Sequence, residues 1–499
     1  MAKKDKKITL RTSIGFGLTD IMGGGAFTVI GAWLLFFFTV YAGLSPIEAA
    51  SIIAIARIVD AVASLFMGNI TDKFNKYKIG RKFGRRRFFL LIGSPLMLTY
   101  ILLWVTGMNF WYYLFSYLLF EVIAAMVLIP WETLPSEMTK DFNKRTQMST
   151  ARMFLSGVGT FLATFIPGQL IRVMGEGSPY VFLVNGIFFA LLFAVCIFIS
   201  YKSTWEKEIT PEEEQELIEQ SKESKSYGTR VKGIGEMFSE YATTLKIKSF
   251  RKHLAIYIFS FTAKDIFNSV FIFFCVYALG TSATLGANLL SLSVIAIPIT
   301  IVAGFLIIKY GPANLYKVSY TIMLVCLLGF FLVYLTQPSS MVIILFVLAG
   351  VYQIGRGVME FTPWNVFPFI PDVDEIVTNK RREGLFAAVM TFARKTSVGV
   401  ATFAVGLLLE FGGFVEGAAV QSPQAIQTIV YILVIPTAVL IIISLGISFT
   451  FKLNKQTHTI LVDEIDRLKN NGSKQDVDPK TKEVVESLTG YKYEDVWKV

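Results

Sequence analysis

The sequence predicts an all-α integral membrane protein in which twelve transmembrane helices form two six-helix bundles. The chain has 499 residues, of which 54% are hydrophobic and 17% are charged, whereas soluble proteins have roughly 45–50% apolar and about 25% charged residues. The apolar residues are gathered into long runs, and Lys and Arg collect in alternate segments between those runs. A set of ordinary soluble domains is therefore excluded.

Twelve apolar runs are long enough to cross a bilayer, for which about 20 residues are needed. We number them spans 1–12, predicted at residues 14–42, 47–72, 88–108, 110–137, 151–172, 178–201, 253–280, 285–308, 315–335, 341–370, 384–410 and 426–451. A polar segment divides them into six and six. The predicted organisation is an N-terminal bundle over 1–201, a cytoplasmic central loop over 202–252, a C-terminal bundle over 253–452 and a cytoplasmic tail over 453–499 with a short helix around 460–470.

The basic residues predict the orientation. They precede span 1 and occupy the loops after spans 2, 4, 8 and 10, whereas the other short loops contain almost none, Arg172 being an exception. Because Lys and Arg concentrate in cytoplasmic loops, both termini are expected in the cytoplasm and the protein in the cell inner membrane. The net charge of +10 is thus an orientation signal, and no nucleic-acid partner is expected.

The residues that most often carry metal or nucleophilic chemistry are scarce. The chain has two histidines, His253 and His458, and its three cysteines (Cys196, Cys275 and Cys326) lie far apart in apolar runs. This pattern provides no metal cluster and no disulfide framework, so we expect neither an enzyme nor a bound metal or cofactor. The alternative from another class, an integral-membrane transferase or hydrolase, would need convergent catalytic groups at a membrane face.

The two halves of the sequence resemble each other. Residues 130–135 (PWETLP) recur as residues 363–368 (PWNVFP), and the Val-Tyr pair at 40–41 recurs at 276–277, at a nearly constant offset. Parallel repeats of this kind occur in alternating-access transporters, whose substrate sites lie near mid-membrane between the halves.

Ionisable residues within the spans indicate a hydrated cavity. A charge at a helix centre costs about 2.5–3.5 kcal/mol on insertion scales, so such groups are expected to pair around water. The predicted intramembrane charges are Asp20, Arg57, Asp60, Glu121, Glu132, Glu137, Arg152, Lys264, Asp265, Arg356, Glu360, Arg394 and Lys395. Their near balance of sign favours a transporter over a structural scaffold.

Several of these positions have two interpretations. Arg57 and Asp60 share a helix face, and they form either an inert ion pair or a site where a carboxylate binds a cation or proton and exchanges partners. Asp20 makes either a helix-packing hydrogen bond or part of a polar substrate surface. Trp131 and Trp364 lie between prolines, where they either stack on a sugar ring or anchor helix kinks.

Several motifs match known transporters. Gly68-x-x-x-Asp72-Lys73 followed by residues 84–87 (GRRR) resembles the loop signature of the major facilitator superfamily. Residues 15–20 (GFGLTD), 56–61 (ARIVDA), 129–135 (IPWETLP) and 380–384 (KRREG) resemble the glycoside–pentoside–hexuronide:cation symporters, the family of melibiose permease. The resemblance covers nearly the whole membrane region. It implies the major facilitator fold and transport of a glycoside or uronide by alternating access, coupled to a cation.

The resemblance also implies residue roles. Asp20 and Arg152 match its sugar-binding positions, Asp60 matches the first carboxylate of its cation site, and Lys395 matches its span 11 lysine associated with coupling. With the interpretations above, the predicted substrate site comprises Asp20, Trp131, Arg152, Trp364 and Lys395. The predicted cation site comprises Arg57, Asp60 and Ser64. The predicted conformational gate comprises Gly68, Asp72, Arg85 and Glu137.

Two positions depart from the family pattern. Ser64 and Leu128 stand where acidic residues are expected. Since a sodium site needs several oxygen ligands, H⁺ is favoured over Na⁺ as the coupling cation, and the loss of acids favours an anionic uronide. The alternatives are a lipid or amphiphile carrier of the same superfamily and an uncoupled sugar facilitator. We expect a monomer whose partners are the small-molecule substrate and membrane lipids.

Overall fold

The computed structural model describes residues 7–72, 74, 77–139, 141–206, 239, 241–380, 382–470 and 472–497. Within these ranges the chain is helical and contains no strand. Eleven of the described helices are long and apolar enough to cross a membrane. Predicted span 2 is a further helix of 27 residues, Pro46–Asp72, and at a rise of about 1.5 Å per residue it is long enough to cross a bilayer. The all-α membrane fold is therefore confirmed.

The observed spans keep the predicted order, with most ends shifted by a few residues. Spans 1 to 6 comprise Leu10–Leu34, Pro46–Asp72, Arg87–Trp104, Phe110–Met138, Phe142–Met174 and Val181–Ser203. Spans 7 to 12 comprise Lys248–Ala278, Ala283–Tyr310, Pro312–Thr336, Met341–Val366, Glu383–Phe411 and Pro423–Phe449.

The segment after span 1 and the last residues of span 7 have the same unusual geometry. Phe37–Tyr41 and Phe274–Ala278 are π-helical, and Gly43 and Gly280 follow them with φ of 76° and 62°. Glycine adopts this left-handed conformation without steric cost, so each chain segment can turn sharply out of its helix. The shared geometry supports the internal repeat inferred from the sequence.

Contacts divide the chain into two compact units. The first comprises Met1–Ser224, Asp265–Val294 and Val398–Leu433, and the second comprises Lys225–Lys264, Ile295–Ser397 and Val434–Val499. In the first unit, span 1 packs on span 5, span 2 on span 4, and span 3 on span 6. In the second unit, span 10 packs on spans 8 and 9. The predicted domain boundaries stay a prediction, and most of the central loop lies outside the described residues.

Two hydrogen bonds connect spans 5 and 8 at the end of the first unit that is predicted to be non-cytoplasmic. The carboxylate of Glu176, after span 5, accepts a 2.9 Å hydrogen bond from the backbone N–H of Ala283. Gln169 donates to the side-chain oxygen of Asn288 at 3.1 Å. These bonds join span 5 to the first turns of span 8 and close that end of the unit.

In the second unit, the tail is a folded element with two helices, Lys455–Lys469 and Pro479–Thr489. The prediction of one short helix is therefore incomplete.

The tail packs on the loop between spans 10 and 11. That loop contains a helix, Ile370–Thr378, and Lys469 of the tail contacts Glu375 in it at 2.6 Å. His458 and Asp372 make a second contact at 2.8 Å. These polar contacts fix the tail against the same loop that carries the predicted basic motif.

Candidate functional site

A charged cluster between spans 1, 4 and 5 is centred on Arg152. Its Nε donates to Oδ2 of Asp20 at 2.9 Å, and its Nη2 donates to Oε1 of Glu132 at 2.7 Å. The guanidinium also lies over the ring of Trp131, 4.7 Å from its centroid. The Arg152 side chain is 32% exposed, whereas that of Asp20 is 10% exposed. The Arg152 guanidinium is therefore oriented by two carboxylates and one aromatic ring, and part of its hydrogen-bonding surface remains exposed.

Trp131 forms the base of this cluster. It is fully buried, its indole N–H donates to the backbone oxygen of Phe16 at 2.9 Å, and its ring stacks on that of Phe16 with centroids 4.8 Å apart. Phe16 lies in span 1, where helix Leu10–Gly17 is followed through Leu18 by helix Thr19–Val29. Trp131 therefore ties span 1 to span 4 next to Arg152.

An open cavity of about 310 Å³ borders Arg152. It is lined by Phe16, Glu132, Pro135, Arg145, Thr146, Ser149 and Arg152. Its volume lies at the lower end of the roughly 300–1,000 Å³ of ligand pockets. The lining combines hydroxyl, guanidinium and carboxylate groups, so it can hydrogen-bond a polyhydroxylated ligand.

A second cluster in the same unit joins spans 2 and 4. Nη1 of Arg57 lies 3.2 Å from Oε1 of Glu121, whose side chain is fully buried. The Arg57 guanidinium also lies 4.7 Å from the ring centroid of Phe27. Asp60, 2% exposed, accepts a 3.2 Å hydrogen bond from the hydroxyl of Ser64. The three predicted cation-site residues are thus together, and the structure adds Glu121 to them.

The remaining predicted substrate residues belong to the second unit. Trp364 is 52% exposed, and its ring centroid lies 5.7 Å from that of Tyr257. Lys395 is half-buried in span 11, next in sequence to Arg394, whose guanidinium lies 5.3 Å from the ring centroid of Phe261. Unlike its repeat partner Trp131, Trp364 presents much of its surface for contact.

The predicted gate is described in part. Arg85 and Arg86 donate to the same oxygen of Glu137, at 2.5 and 2.7 Å. The surroundings of Gly68 and the side chain of Asp72 lie outside the described part of the chain. The described residues tie span 3 to span 4 within one unit, and their role in gating stays a prediction.

Three acidic residues of these clusters are absent from the predicted sites. Glu121 and Glu132 have a signal in the sequence, because each is an acidic residue inside a predicted span. Glu206 accepts hydrogen bonds from three consecutive backbone N–H groups, those of residues 85–87, at 2.9, 2.8 and 2.6 Å. It lies in the predicted central loop, where an acidic residue is unremarkable, so no local signal marks it.

The helical membrane fold and the partly exposed Arg152 cluster are typical of a membrane transporter. The family described as MFS/sugar transport protein matches residues 15–455, and the chain belongs to this family. The resemblance to the glycoside–pentoside–hexuronide symporters is confirmed.

Three relatives are similar to the chain over most of their length at low identity. The chain is 22% identical to the glucuronide carrier protein homolog of Escherichia coli (strain K12), over 93% of this chain and 97% of the relative. It is 23% identical to the isoprimeverose transporter of Lactiplantibacillus pentosus, over 83% and 82% of the two chains. It is 21% identical to the sodium-dependent lysophosphatidylcholine symporter 1-A of Danio rerio, over 95% and 91%.

Solved structures of transporters share the fold. A bacterial homologue of the human lysosomal transporter Spinster, in an inward-facing and unoccupied conformation, matches with a TM-score of 0.59 at 14% identity, covering 89% of this chain and 97% of that one. The major facilitator fold expected from the sequence is therefore confirmed.

Proposed function

We propose that this protein carries a glycoside or uronide across the cell inner membrane by alternating access, coupled to the movement of protons. The arrangement of Arg152 carries the proposal, because it combines a partly exposed guanidinium with two carboxylates beside an open cavity. Relatives named as a glucuronide carrier homolog and an isoprimeverose transporter support a sugar substrate.

Arg152, Asp20 and Glu132 have the chemistry that a sugar needs. Sugar hydroxyls donate to carboxylate oxygens and accept from guanidinium N–H groups, and bonds to charged groups are stronger than bonds between neutral groups. Trp131 lies beneath Arg152 and is fully buried, so in this proposal it positions Arg152 and does not stack on the sugar. Trp364, which is 52% exposed, offers its ring to a sugar face.

Coupling is assigned to Asp60 and its surroundings. Asp60 is buried and acts electrostatically on Arg57, as do Glu121 and Asp265. Several carboxylates thus interact with one guanidinium in a region of low dielectric. Adding a proton to one carboxylate therefore changes the electrostatic interactions of the whole cluster. The neutral hydroxyl of Ser64, in place of a second acid on the same helix face, favours H⁺ over Na⁺.

Uptake into proteoliposomes tests the proposal. The panel contains p-nitrophenyl β-D-glucuronide, p-nitrophenyl β-D-glucoside and lysophosphatidylcholine, each with a pH gradient, a sodium gradient or neither. We expect saturable sugar uptake that follows the pH gradient, is abolished by a protonophore and is unchanged by sodium. Asp60→Asn should lose gradient-driven accumulation and retain sugar exchange, whereas Ser64→Ala should keep both. Absence of saturable flux for every sugar in a broad panel would overturn the proposal.

The Danio rerio relative supports a second candidate, transport of an amphiphile. Competition by lysophosphatidylcholine without competition by sugars would establish that alternative. Sugar flux that responds to neither gradient would identify an uncoupled facilitator instead.

The proposal includes a monomer with both termini in the cytoplasm. The basic loops support this orientation, as does the packing of the tail on the helix Ile370–Thr378 next to a basic motif. Protease added to sealed right-side-out vesicles should leave the tail intact, and protease added to inverted vesicles should cleave it. The opposite pattern would reverse the assigned orientation.

A further inference from the structure

The second unit contains a cationic cluster that the proposal above does not use. Nζ of Lys264 and Nε of Arg356 lie 3.2 and 3.0 Å from the same oxygen, Oε1 of Glu360. Lys264 and Arg394 both lie over the ring of Phe261, at 4.7 and 5.3 Å from its centroid. Lys264 therefore contacts both the carboxylate and the ring, whereas Arg356 contacts the carboxylate and Arg394 contacts the ring.

Glu360 lies at the accessible edge of this cluster. Its side chain is 31% exposed, compared with 15% for Lys264 and 8% for Arg356. The exposed apolar residues Val347 and Ile354 share one side of span 10, which we assign to the lipid. Because each residue advances a helix by about 100°, Glu360 is rotated by roughly 120° from Ile354. Its exposed surface thus points away from the lipid, as charges inside membrane proteins do when they border a water-filled cavity.

An exposed aromatic ring continues the same face of span 10. Arg356, Glu360 and Trp364 are spaced four residues apart, so they lie one above another on one side of the helix. Trp364 is 52% exposed and is supported from the side by Tyr257. The distance between successive positions is about 6 Å, so a sugar ring on Trp364 would bring an exocyclic group to the level of Glu360.

We propose that Lys264, Arg356 and Arg394 form a carboxylate-recognition site that gives this transporter specificity for acidic sugars. The inference rests on the proposed sugar transport and names its substrate class. The carboxylate of the substrate replaces Glu360 as the acceptor of the Lys264 and Arg356 hydrogen bonds, which are charge-assisted. A neutral glycoside offers only hydroxyl groups, which are weaker acceptors than a carboxylate, so it does not displace Glu360 and gains less from the three cations.

Two substitutions with opposite expected effects on glucuronide affinity test this site. The measurement is inhibition of sugar counterflow by p-nitrophenyl β-D-glucuronide and by its neutral analogue, p-nitrophenyl β-D-glucoside. Lys264→Gln removes one charge-assisted bond and should weaken glucuronide affinity about tenfold or more, with glucoside affinity unchanged. Glu360→Gln removes the competing internal carboxylate and should strengthen glucuronide affinity several-fold.

Lys317→Gln is the matched control. Lys317 lies over the ring of Phe449 at 4.7 Å from its centroid, as Lys264 does over Phe261, but outside the cluster. It should change neither affinity. If Lys264→Gln does not yield folded protein, Arg356→Lys serves as the second variant. It keeps the positive charge but loses the Nε donor of the guanidinium. It should weaken glucuronide binding and leave glucoside binding unchanged.

The outcomes separate this inference from the proposed function. Equal effects on both sugars, or glucuronide affinity weakened by Glu360→Gln, would overturn the carboxylate site. A wild-type protein that transports the glucoside and not the glucuronide would overturn the inference alone. A wild-type protein that transports no glycoside or uronide would overturn the proposed function.

Discussion

Arg57 of span 2 and Glu121 of span 4 form an ion pair of 3.2 Å in which the Glu121 side chain is fully buried. Removal of one member of such a pair leaves a buried charge without its partner, whereas removal of both removes the desolvation cost as well. The pair therefore links the packing of span 2 on span 4 to the charge of Asp60, which acts on the same guanidinium.

The first prediction is that this pair behaves non-additively. Glu121→Leu and Arg57→Met should each lower the free energy of unfolding by about 3–5 kcal/mol, because each leaves one buried charge. The double variant should recover most of this loss, as measured by thermal unfolding in detergent. Simple addition of the two single effects would show that Arg57 and Glu121 do not act as a pair.

The second prediction separates the two repeat-related tryptophans. Trp131 is fully buried and hydrogen-bonded to the backbone of Phe16, so Trp131→Ala should cost about 3–5 kcal/mol of stability. Trp364 is 52% exposed, so Trp364→Ala should change the stability by less than about 1 kcal/mol. It should nevertheless weaken glycoside binding about tenfold, because the stacking surface is lost.

Thermal unfolding and counterflow inhibition measure these two effects on the same preparations. Loss of stability in Trp364→Ala equal to that in Trp131→Ala would contradict the different roles assigned to them.

The spans could be predicted from the sequence, because hydropathy is a local signal, and the resemblance to the family implied that Asp20 and Arg152 belong to one site. Arg152 and Asp20 both match sugar-binding positions of the family, and they form a hydrogen-bonded pair at 2.9 Å. The contact of Arg57 with Glu121 could not be found in this way. Sequence spacing pointed to Asp60 on the same helix, which also acts electrostatically on Arg57, whereas the contact with Glu121 depends on how spans 2 and 4 are rotated against each other.

The second tail helix has a local signal that the prediction of a single tail helix overlooks. Asp478 caps the helix by accepting from the backbone N–H of Thr481, Pro479 occupies the first turn, and Gly490 follows the end with φ of 82°. This Asp-Pro start and Gly stop are typical of a helix. The capping role of Glu206, by contrast, depends on the tertiary approach of the chain after span 6 to the start of span 3.

The third prediction concerns the closed end of the first unit. A Cβ atom added to Gly168 in span 5 would lie 2.4 Å from the Cβ of Ala287 in span 8, which is too close for the two helices to keep their packing. Gly168→Val should therefore disfavour this closed arrangement, since overpacking costs about 1–3 kcal/mol. In an Asn288→Cys background, labelling by a membrane-impermeant maleimide should become about tenfold faster.

Gly177→Val is the control, because no atom lies within 4 Å of a Cβ added there. It should leave the labelling rate of the cysteine at position 288 unchanged. Equal acceleration by both substitutions would argue against a specific contact at Gly168.

The fourth prediction is a pH dependence of the folding of the tail. Burial, together with the hydrogen-bonded carboxylate of Glu464, raises the pKa of Tyr493 from 10 to about 12. Because the folded state favours the protonated phenol, this contribution to stability is complete below pH 10 and is lost as the pH rises towards 12. Brief proteinase K digestion should cleave the tail increasingly over this interval. Tyr493→Phe should remove the step, and an unchanged step in that variant would assign it to another group.

The fifth prediction concerns the identity of the coupling ion. Ser64 donates to Asp60 at 3.2 Å, so a carboxylate at position 64 would place two acidic groups one helical turn apart. Two carboxylates supply the additional oxygen ligands that a sodium ion requires. Ser64→Asp should therefore make sugar uptake respond to an inward sodium gradient in proteoliposomes, whereas the wild type and Ser64→Ala should not. Sodium stimulation of the wild type would show that the hydroxyl already completes a sodium site, and proton coupling through Asp60 would then be wrong.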